Sequence, residues 1–235
     1  MVIKEDLSLR NKFEIFKDRS DAGQKLAVFL KRYLSNERNL VILAIPRGGI
    51  PVGCIVAREL NVDFDIVVVR KIPIPWDPEA GFGAVTPDGE TLMDENLARG
   101  YLGLDTATIR NLVSGVLREI KRREVLYRGS NKPINLKDKK IIIIDDGLAT
   151  GYTMFAAINY VRKQMPKEIM VAVPTASERS IYFIDKHVNM VFCLNIRSGI
   201  PYFAVADAYV NWRDLTDNDV LNFLRKKKCF NRGFL

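Results

Sequence analysis

The segment that most constrains the fold of this chain runs from Ile141 to Thr153. It opens with four consecutive isoleucines, and a short β-branched run bounded by charges is typical of a central strand in a parallel sheet. Two carboxylates follow, and Gly147 and Gly151 then favour a tight loop. A helix is predicted to begin near Thr153. The segment therefore predicts a strand, loop and helix unit of an α/β fold.

The polar groups of this unit suit a phosphorylated sugar. A helix N-terminus offers unpaired N–H groups and partial positive charge to an anion. The hydroxyls of Thr150 and Thr153 add donors for a phosphate, and Asp145 and Asp146 can accept hydrogen bonds from sugar hydroxyls. The alternative is structural: Asp146 would only cap the helix, and the glycines would only form a turn.

The same residues resemble the signature of the type I phosphoribosyltransferases: four apolar residues, two acidic ones, then Gly-x-Ala/Ser/Thr-Thr-Gly-x-Ser/Thr. Every position matches, and the absence of a Lys after Gly151 argues against a Walker-type nucleotide loop. The resemblance implies that this loop binds the 5-phosphate and ribose of phosphoribosyl pyrophosphate. The substrate-binding residues it implies here are Asp145, Asp146, Gly147, Ala149, Thr150, Gly151, Tyr152 and Thr153.

A second segment, residues 40–49, supports this interpretation. A predicted strand over 40–45 is followed by Pro46, Arg47, Gly48 and Gly49. Ligands bind at such strand ends in open parallel sheets. The glycines expose backbone N–H groups, and Arg47 presents a rigid fork of donors to a polyphosphate. Taken alone, Arg-Gly-Gly also fits an ordinary turn. The resemblance implies the pyrophosphate loop, and we predict a cis peptide bond between Ile45 and Pro46.

A third predicted strand, over residues 65–70, ends in Arg70 and Lys71. Adenine and orotate phosphoribosyltransferases carry a similar pair, which faces pyrophosphate or the mobile loop. The resemblance therefore makes Arg47, Arg70 and Lys71 the candidate catalytic residues. The alternative for Arg70 and Lys71 is a pair of solvated charges at a strand end.

The stretch after Lys71 is rich in proline and glycine and predicts a mobile loop over about 73–98 that covers the active site. It contains acidic residues but no Lys or Arg between Ile72 and Ala98, so it cannot supply the lysine that orotate enzymes bring from their lid. Hypoxanthine-guanine enzymes place an Asp where this chain has Ala149 and a Lys near residues 173–176. Both are missing, which argues against 6-oxopurine substrates.

Strand and helix signals alternate without a linker, which predicts one domain over residues 1–235 built on a doubly wound parallel α/β sheet. Residues 1–35 and 196–214 are predicted to form a small hood subdomain. Its aromatic segment serves either as core or as a platform for the nucleobase; it includes Pro201-Tyr202-Phe203, Tyr209 and Trp212. Further patterns resemble an uncharacterised group of predicted phosphoribosyltransferases; they are residues 16–23, 79–85, 122–124, 127–129 and 204–209.

Composition narrows the cellular context. The three cysteines lie outside any metal-ligand spacing, which favours reduced thiols in a cytoplasm. The N-terminal residues lack the apolar run of a signal peptide or membrane span. The net charge of +8 fits a polyanionic substrate as well as nucleic acid.

These observations predict transfer of a phosphoribosyl group from phosphoribosyl pyrophosphate to an unidentified nitrogenous base. Mg²⁺ is the expected cofactor, held mainly by substrate oxygens and water rather than by direct protein ligands. The expected partners exclude nucleic acid and membranes, and a homodimer is left open. The alternative is a regulator that binds phosphoribosyl pyrophosphate without consuming it and contacts nucleic acid.

Overall fold

The computed structural model describes residues 2–34, 37–199 and 203–230. Its strands are β1 (Ile3–Glu5), β2 (Leu40–Ala44), β3 (Asp63–Ile66), β4 (Arg70–Ile74), β5 (Asp77–Val85), β6 (Thr91–Met93), β7 (Lys140–Ile144), β8 (Glu168–Ser177) and β9 (Met190–Arg197). Its α-helices are α1 (Arg19–Leu34), α2 (Gly49–Leu60), α3 (Thr106–Arg128), α4 (Tyr152–Arg162), α5 (Glu178–Asp185) and α6 (Asp217–Lys227). A parallel six-stranded sheet has the order β1-β9-β8-β7-β2-β3, and a separate antiparallel sheet has the order β4-β5-β6.

The central strands are apolar on both faces because both faces are covered by helices. In β2, Leu40, Ile42 and Ala44 belong to one buried cluster, and Val41 and Leu43 belong to another. The first cluster includes residues of α1, α2, α3 and α6, whereas the second includes residues of α4 and α5. The predicted doubly wound parallel α/β fold is therefore confirmed. The edge strand β1 escaped prediction because it is only three residues long.

Residues 70–101, here named the flap, correct the prediction of an irregular loop. They form β4, β5, β6 and a π-helix over Asn96–Tyr101, and Ile72, Phe82 and Val85 are buried. Gly83 was interpreted as part of a loop because glycine is common in loops. In β5 its role is different: a Cβ there would lie 2.5 Å from the Leu92 carbonyl oxygen, so glycine permits close strand pairing. The segment therefore contains buried apolar side chains despite its proline and glycine content. Its mobility and its role as a lid remain predictions.

The strand predicted over residues 65–70 also needs correction. β3 ends at Ile66, and Arg70 and Lys71 instead open β4 of the flap sheet. The valines at 67–69, which connect the two sheets, are buried, and this made one continuous strand the natural interpretation.

Two segments predicted to form the hood lie against each other. The N–H of Phe16 donates to the Ala208 carbonyl at 3.0 Å, and the N–H of Val210 donates to the Phe16 carbonyl at 2.8 Å. The Tyr209 ring lies 5.4 Å from that of Phe16 and 5.1 Å from that of Trp212, measured between centroids. Pro201 and Tyr202 lie outside the described residues. The assignment of these segments to a base-binding hood stays a prediction.

The cysteines contradict the expectation of three reduced thiols. Cys54 of α2 and Cys229, just after α6, form a disulfide with their Cα atoms 5.3 Å apart, and Cys193 is free and buried. The two partners are 175 residues apart in sequence, and the packing of α6 near α2 brings them together. None of the described helices is long and apolar enough to cross a membrane.

Candidate functional site

The two glycine-bearing motifs leave the sheet side by side because β2 pairs with β7, with Ala44 opposite Ile144. A Cβ at Gly48 would lie 2.0 Å from Oδ2 of Asp146, and a Cβ at Gly49 would lie 2.5 Å from the Ile144 carbonyl oxygen. Both values are below any real contact distance, so only glycine allows the loops to approach this closely. The fold thus brings the predicted pyrophosphate loop and the acid pair together.

Two details of the predicted pyrophosphate loop, residues 46–49, differ from expectation. The N–H of Gly49 donates to the Ile45 carbonyl at 3.0 Å, so this N–H is used within the loop rather than offered to a ligand. The cis peptide bond joins Pro46 to Arg47, one bond later than predicted. The prediction at Ile45–Pro46 is wrong, in line with the rarity of cis bonds before proline in folded proteins.

Asp146 is held by a buried cation that the sequence did not reveal. Its Oδ2 accepts a hydrogen bond from Nε of Arg19 at 2.7 Å, and the two side chains are only 13% and 10% exposed. Arg19 also donates to the Arg213 carbonyl at 2.9 Å and stacks 3.9 Å from the centroid of the Trp212 ring. The hydroxyl of Tyr209 donates to the Asp146 carbonyl at 2.6 Å. These contacts fix the carboxylate beside the pyrophosphate loop.

Asp145 has no such cation at hydrogen-bond distance among the described residues. Its Oδ1 accepts from the backbone N–H of Asp146 at 2.8 Å. Burial raises the pKa of the Asp145 carboxyl well above its usual range, and the neighbouring charge of Asp146 raises it further. The site therefore holds one fixed carboxylate and one whose charged form is disfavoured by its surroundings.

The loop after the acid pair is braced from outside. The hydroxyls of Ser177 and Ser180 donate to the carbonyls of Ala149 and Leu148 at 2.9 and 3.0 Å. These hydrogen bonds anchor the loop to the start of α5. A cavity of about 320 Å³ adjoins the loop; it is lined by Ala149, Thr150, Tyr152, Arg179, Ser180 and Phe183.

The two glycines of this loop have separate roles. Gly151 has φ of +85° and precedes α4, a conformation that favours glycine. A Cβ at Gly147 would lie 2.5 Å from Cγ1 of Val205, so Gly147 allows a hood segment to pack on the loop. The sequence predicted that Gly147 binds substrate. The structure adds a second reason for glycine at this position, which is the packing of Val205.

The remaining predicted residues divide between two environments. Arg47 lies 3.8 Å from Oδ1 of Asp217, and Arg70 lies 3.4 Å from Oε1 of Glu119 on α3. Lys71 is exposed at the next position of β4, and consecutive strand residues project to opposite faces. Arg47 and Arg70 therefore share one charged region, whereas Lys71 belongs to the other face of the flap sheet.

Comparison with known proteins identifies the family. Residues 84–206 match the model of the phosphoribosyl transferase domain. A Mycobacterium tuberculosis protein named "Putative phosphoribosyl transferase" is 34% identical over 211 residues, which are 90% of this chain and 46% of that protein. A crystal structure of a Thermus thermophilus protein is 32% identical with a TM-score of 0.70, and the match covers 90% of this chain and 98% of that one. The chain belongs to the phosphoribosyl transferase family.

This chain spans about half the length of the Mycobacterium tuberculosis relative, at 46%. A uracil phosphoribosyltransferase of Mycoplasma genitalium is 31% identical over 79 residues, which cover 32% of this chain and 38% of that enzyme. These relatives share the phosphoribosyl transferase family with this chain.

Sequence reasoning missed several polar residues that the fold assembles around Arg47 and the acid pair. They are Arg19, Glu119, Arg122, Arg123, Tyr127 and Asp217. Residues 16–23, 122–124 and 127–129 were noted only as patterns of a related group, and no local rule linked them to the site. Among the described residues, no group of three or more His, Cys, Asp or Glu side chains is arranged to hold a metal ion.

Proposed function

We propose that this chain transfers the phosphoribosyl group of phosphoribosyl pyrophosphate to a ring nitrogen of a nucleobase. One observation carries the proposal: the acid pair at the end of β7 lies directly against the Arg47-Gly48-Gly49 loop at the end of β2. A donor with a ribose diol between a phosphate and a pyrophosphate matches carboxylates flanked by an anion-binding helix start and an arginine loop.

Each part of the donor has a candidate binding group. The start of α4, with the hydroxyls of Thr150 and Thr153, would bind the 5-phosphate. Asp145 and Asp146 would accept hydrogen bonds from the ribose hydroxyls. Arg47 and Arg70 would stabilise the charge on the departing pyrophosphate. This assignment is supported by the positions of the loops, and substitution of Asp146 tests it.

The reaction breaks the bond between the anomeric carbon and pyrophosphate, and the bonding electrons leave with pyrophosphate. The base nitrogen supplies the electron pair for the new bond and loses its proton to solvent or a neighbouring group. Positioning and electrostatics would dominate, because the anomeric carbon passes through an oxocarbenium-like state.

Mg²⁺ would neutralise the leaving group while bound mainly by pyrophosphate oxygens, ribose hydroxyls and water. The carboxylates of Asp145 and Asp146 are oxygen donors of the type that Mg²⁺ and its bound water prefer, so the residues present fit this cofactor. Their part would be to orient the ribose and any metal-bound water. A cytoplasmic location remains a prediction, and the Cys54–Cys229 disulfide removes the reduced-thiol argument on which it relied.

The test is a turnover panel with phosphoribosyl pyrophosphate, Mg²⁺ and a range of purine and pyrimidine bases, with pyrophosphate release as the readout. Asp146→Asn removes a charged acceptor, and we expect phosphoribosyl pyrophosphate to bind about ten- to a hundredfold more weakly. Asp138→Asn is the matched control, because Asp138 is exposed just before β7.

Three results are informative. Turnover with one base, lost in Asp146→Asn and kept in Asp138→Asn, would support the proposal. Donor binding without turnover, coupled to a change in nucleic-acid affinity, would favour the regulator. Equal donor binding by the parent and Asp146→Asn would contradict the site assignment.

A further inference from the structure

Four arginines from the pyrophosphate loop, β4 and α3 converge at one place; this set is named the arginine cluster. Its members are Arg47, Arg70, Arg122 and Arg123. Among the residues that the structure describes, two carboxylates, Glu119 and Asp217, pair with these arginines, so four positive charges face two negative ones. Such a surplus in a partly buried region favours a bound anion.

Glu119 holds the α3 arginines in place. It accepts hydrogen bonds from Nε of Arg122 at 2.7 Å and from Nε of Arg123 at 2.8 Å, and it lies 3.4 Å from Arg70. The hydrogen bond from Arg122 leads the effects that lower the pKa of Glu119 to about 2. Arg123 is only 12% exposed, so it is not a solvated charge on the helix surface.

Arg70 lies close to other positive charges. Burial lowers its pKa, the neighbouring charge of Arg123 lowers it further, and Arg47 acts in the same direction, whereas the charge of Glu119 raises it. Arg47 and Arg123 thus both act on Arg70, which is consistent with the geometric surplus of cations.

Asp217 lies at the centre of this arrangement. Both of its oxygens already accept hydrogen bonds, Oδ1 from the Tyr127 hydroxyl and Oδ2 from Arg122. Oδ1 also lies 3.8 Å from Arg47 and 3.9 Å from Arg123, distances too long for hydrogen bonds. Asp217 therefore offsets the charge of these two arginines while leaving them able to bind a closer oxygen.

We propose that Arg123 is a further pyrophosphate-binding residue and that Asp217 competes with pyrophosphate for Arg47 and Arg123. The inference rests on the proposed function for the identity of the anion. When pyrophosphate oxygens approach the two arginines, Asp217 keeps Tyr127 and Arg122 and loses only its two longer contacts. The Asp217 carboxylate thereby lowers the affinity for the product pyrophosphate, and a higher affinity would slow product release.

Inorganic pyrophosphate and ribose 5-phosphate are the probes, titrated separately by calorimetry at fixed Mg²⁺. Arg123→Gln removes one guanidinium, and Arg118→Gln makes the same charge change at an exposed position of α3. Asp217→Asn removes the competing charge, and Asp214→Asn makes the same change at an exposed position just before α6. Arg123→Lys keeps the charge but loses the planar fork.

We expect Arg123→Gln to weaken pyrophosphate binding about tenfold or more, with partial recovery in Arg123→Lys. We expect Asp217→Asn to tighten it about fivefold. Ribose 5-phosphate should bind all variants as it binds the parent, which also reports that they are folded. The two control variants should match the parent for both probes.

The outcomes separate this inference from the proposed function. If pyrophosphate affinity follows this pattern but no base is converted, the inference stands and phosphoribosyl transfer fails. If the parent transfers phosphoribosyl groups but Arg123→Gln and Asp217→Asn bind pyrophosphate as the parent does, the inference is overturned alone. Absence of pyrophosphate binding in the parent also overturns it.

Discussion

The two sides of the candidate site balance charge differently. On the acid-pair side, Asp146 pairs with one arginine, Arg19, at 2.7 Å, and both side chains are nearly buried. On the other side, the four members of the arginine cluster share two carboxylates, and their exposure ranges from 12% to 48%. A buried one-to-one pair fixes the geometry before a ligand arrives, whereas a cluster with surplus positive charge would be neutralised by the proposed anion.

This difference has a functional consequence. Substitutions on the acid-pair side should disturb both stability and binding, because Asp146, the proposed ribose ligand, is part of the packed structure. Substitutions in the arginine cluster should act mainly on anion affinity. Substitutions at the boundary between the two sides and within the acid-pair side test that division.

The largest effect is expected at Gly48, where the two sides touch. In Gly48→Ala the new Cβ would lie 2.0 Å from Oδ2 of Asp146, so the loop or the carboxylate must move. We expect phosphoribosyl pyrophosphate affinity to fall by more than about a hundredfold, since both the ribose and pyrophosphate contacts are displaced. Calorimetry measures it, and Gly100→Ala is the control because a Cβ there meets nothing within 4 Å. If Gly48→Ala bound phosphoribosyl pyrophosphate as tightly as the parent, the claim that the two loops form one site would be contradicted.

An intermediate effect is expected at Arg19. Arg19→Gln leaves the Asp146 carboxylate without its cation and removes the stack on Trp212, so we expect the free energy of unfolding to fall by about 2 kcal/mol. Urea denaturation measures this change, and Arg32→Gln at an exposed position of α1 is the control. The loss should be smaller when Arg19→Gln is made in an Asp146→Asn background, because no carboxylate is then left unpaired. A fully additive loss would show that the pair is not what stabilises this side.

The smallest effect concerns Asp145 and has the opposite sign. Because burial and Asp146 raise its folded-state pKa, its ionisation opposes folding as pH rises above the ordinary Asp pKa of about 3.9. Asp145→Asn should therefore raise the Tm of the ligand-free protein by a few degrees at neutral pH and hardly at all in mild acid, while weakening donor binding; for this chain length ~1 kcal/mol corresponds to roughly 2–4 °C. Thermal unfolding at several pH values checks it, and a Tm lowered at neutral pH would contradict the assigned pKa direction.

The parts of the site that sequence predicted well are local. The isoleucines of β7, the acid pair and Gly151 are near neighbours in the chain, and their conformations follow from burial pattern and backbone preference. The contacts that the sequence did not predict join residues far apart in the chain: Arg19 and Asp146 are separated by 127 positions, and Arg122 and Asp217 by 95. No periodicity or spacing rule connects such residues.

The prediction for the flap was wrong for a different reason. Gly81 and Gly83 were taken as loop signals, but they relieve steric contacts between paired strands: a Cβ at Gly81 would lie 3.0 Å from the Ile72 carbonyl oxygen. The same residue type serves a turn at Gly151 and a strand at Gly83, and only the neighbouring backbone distinguishes the two cases.

Competition for a single donor site tests the central claim most directly. Phosphoribosyl pyrophosphate is titrated into the parent at fixed Mg²⁺, alone and with saturating ribose 5-phosphate or inorganic pyrophosphate. We predict one donor bound per chain, with its apparent affinity reduced by either competitor, because the start of α4 and the arginine cluster would hold opposite ends of one molecule whose ribose lies at the acid pair. Donor binding unaffected by either competitor, or no donor binding, would contradict the account.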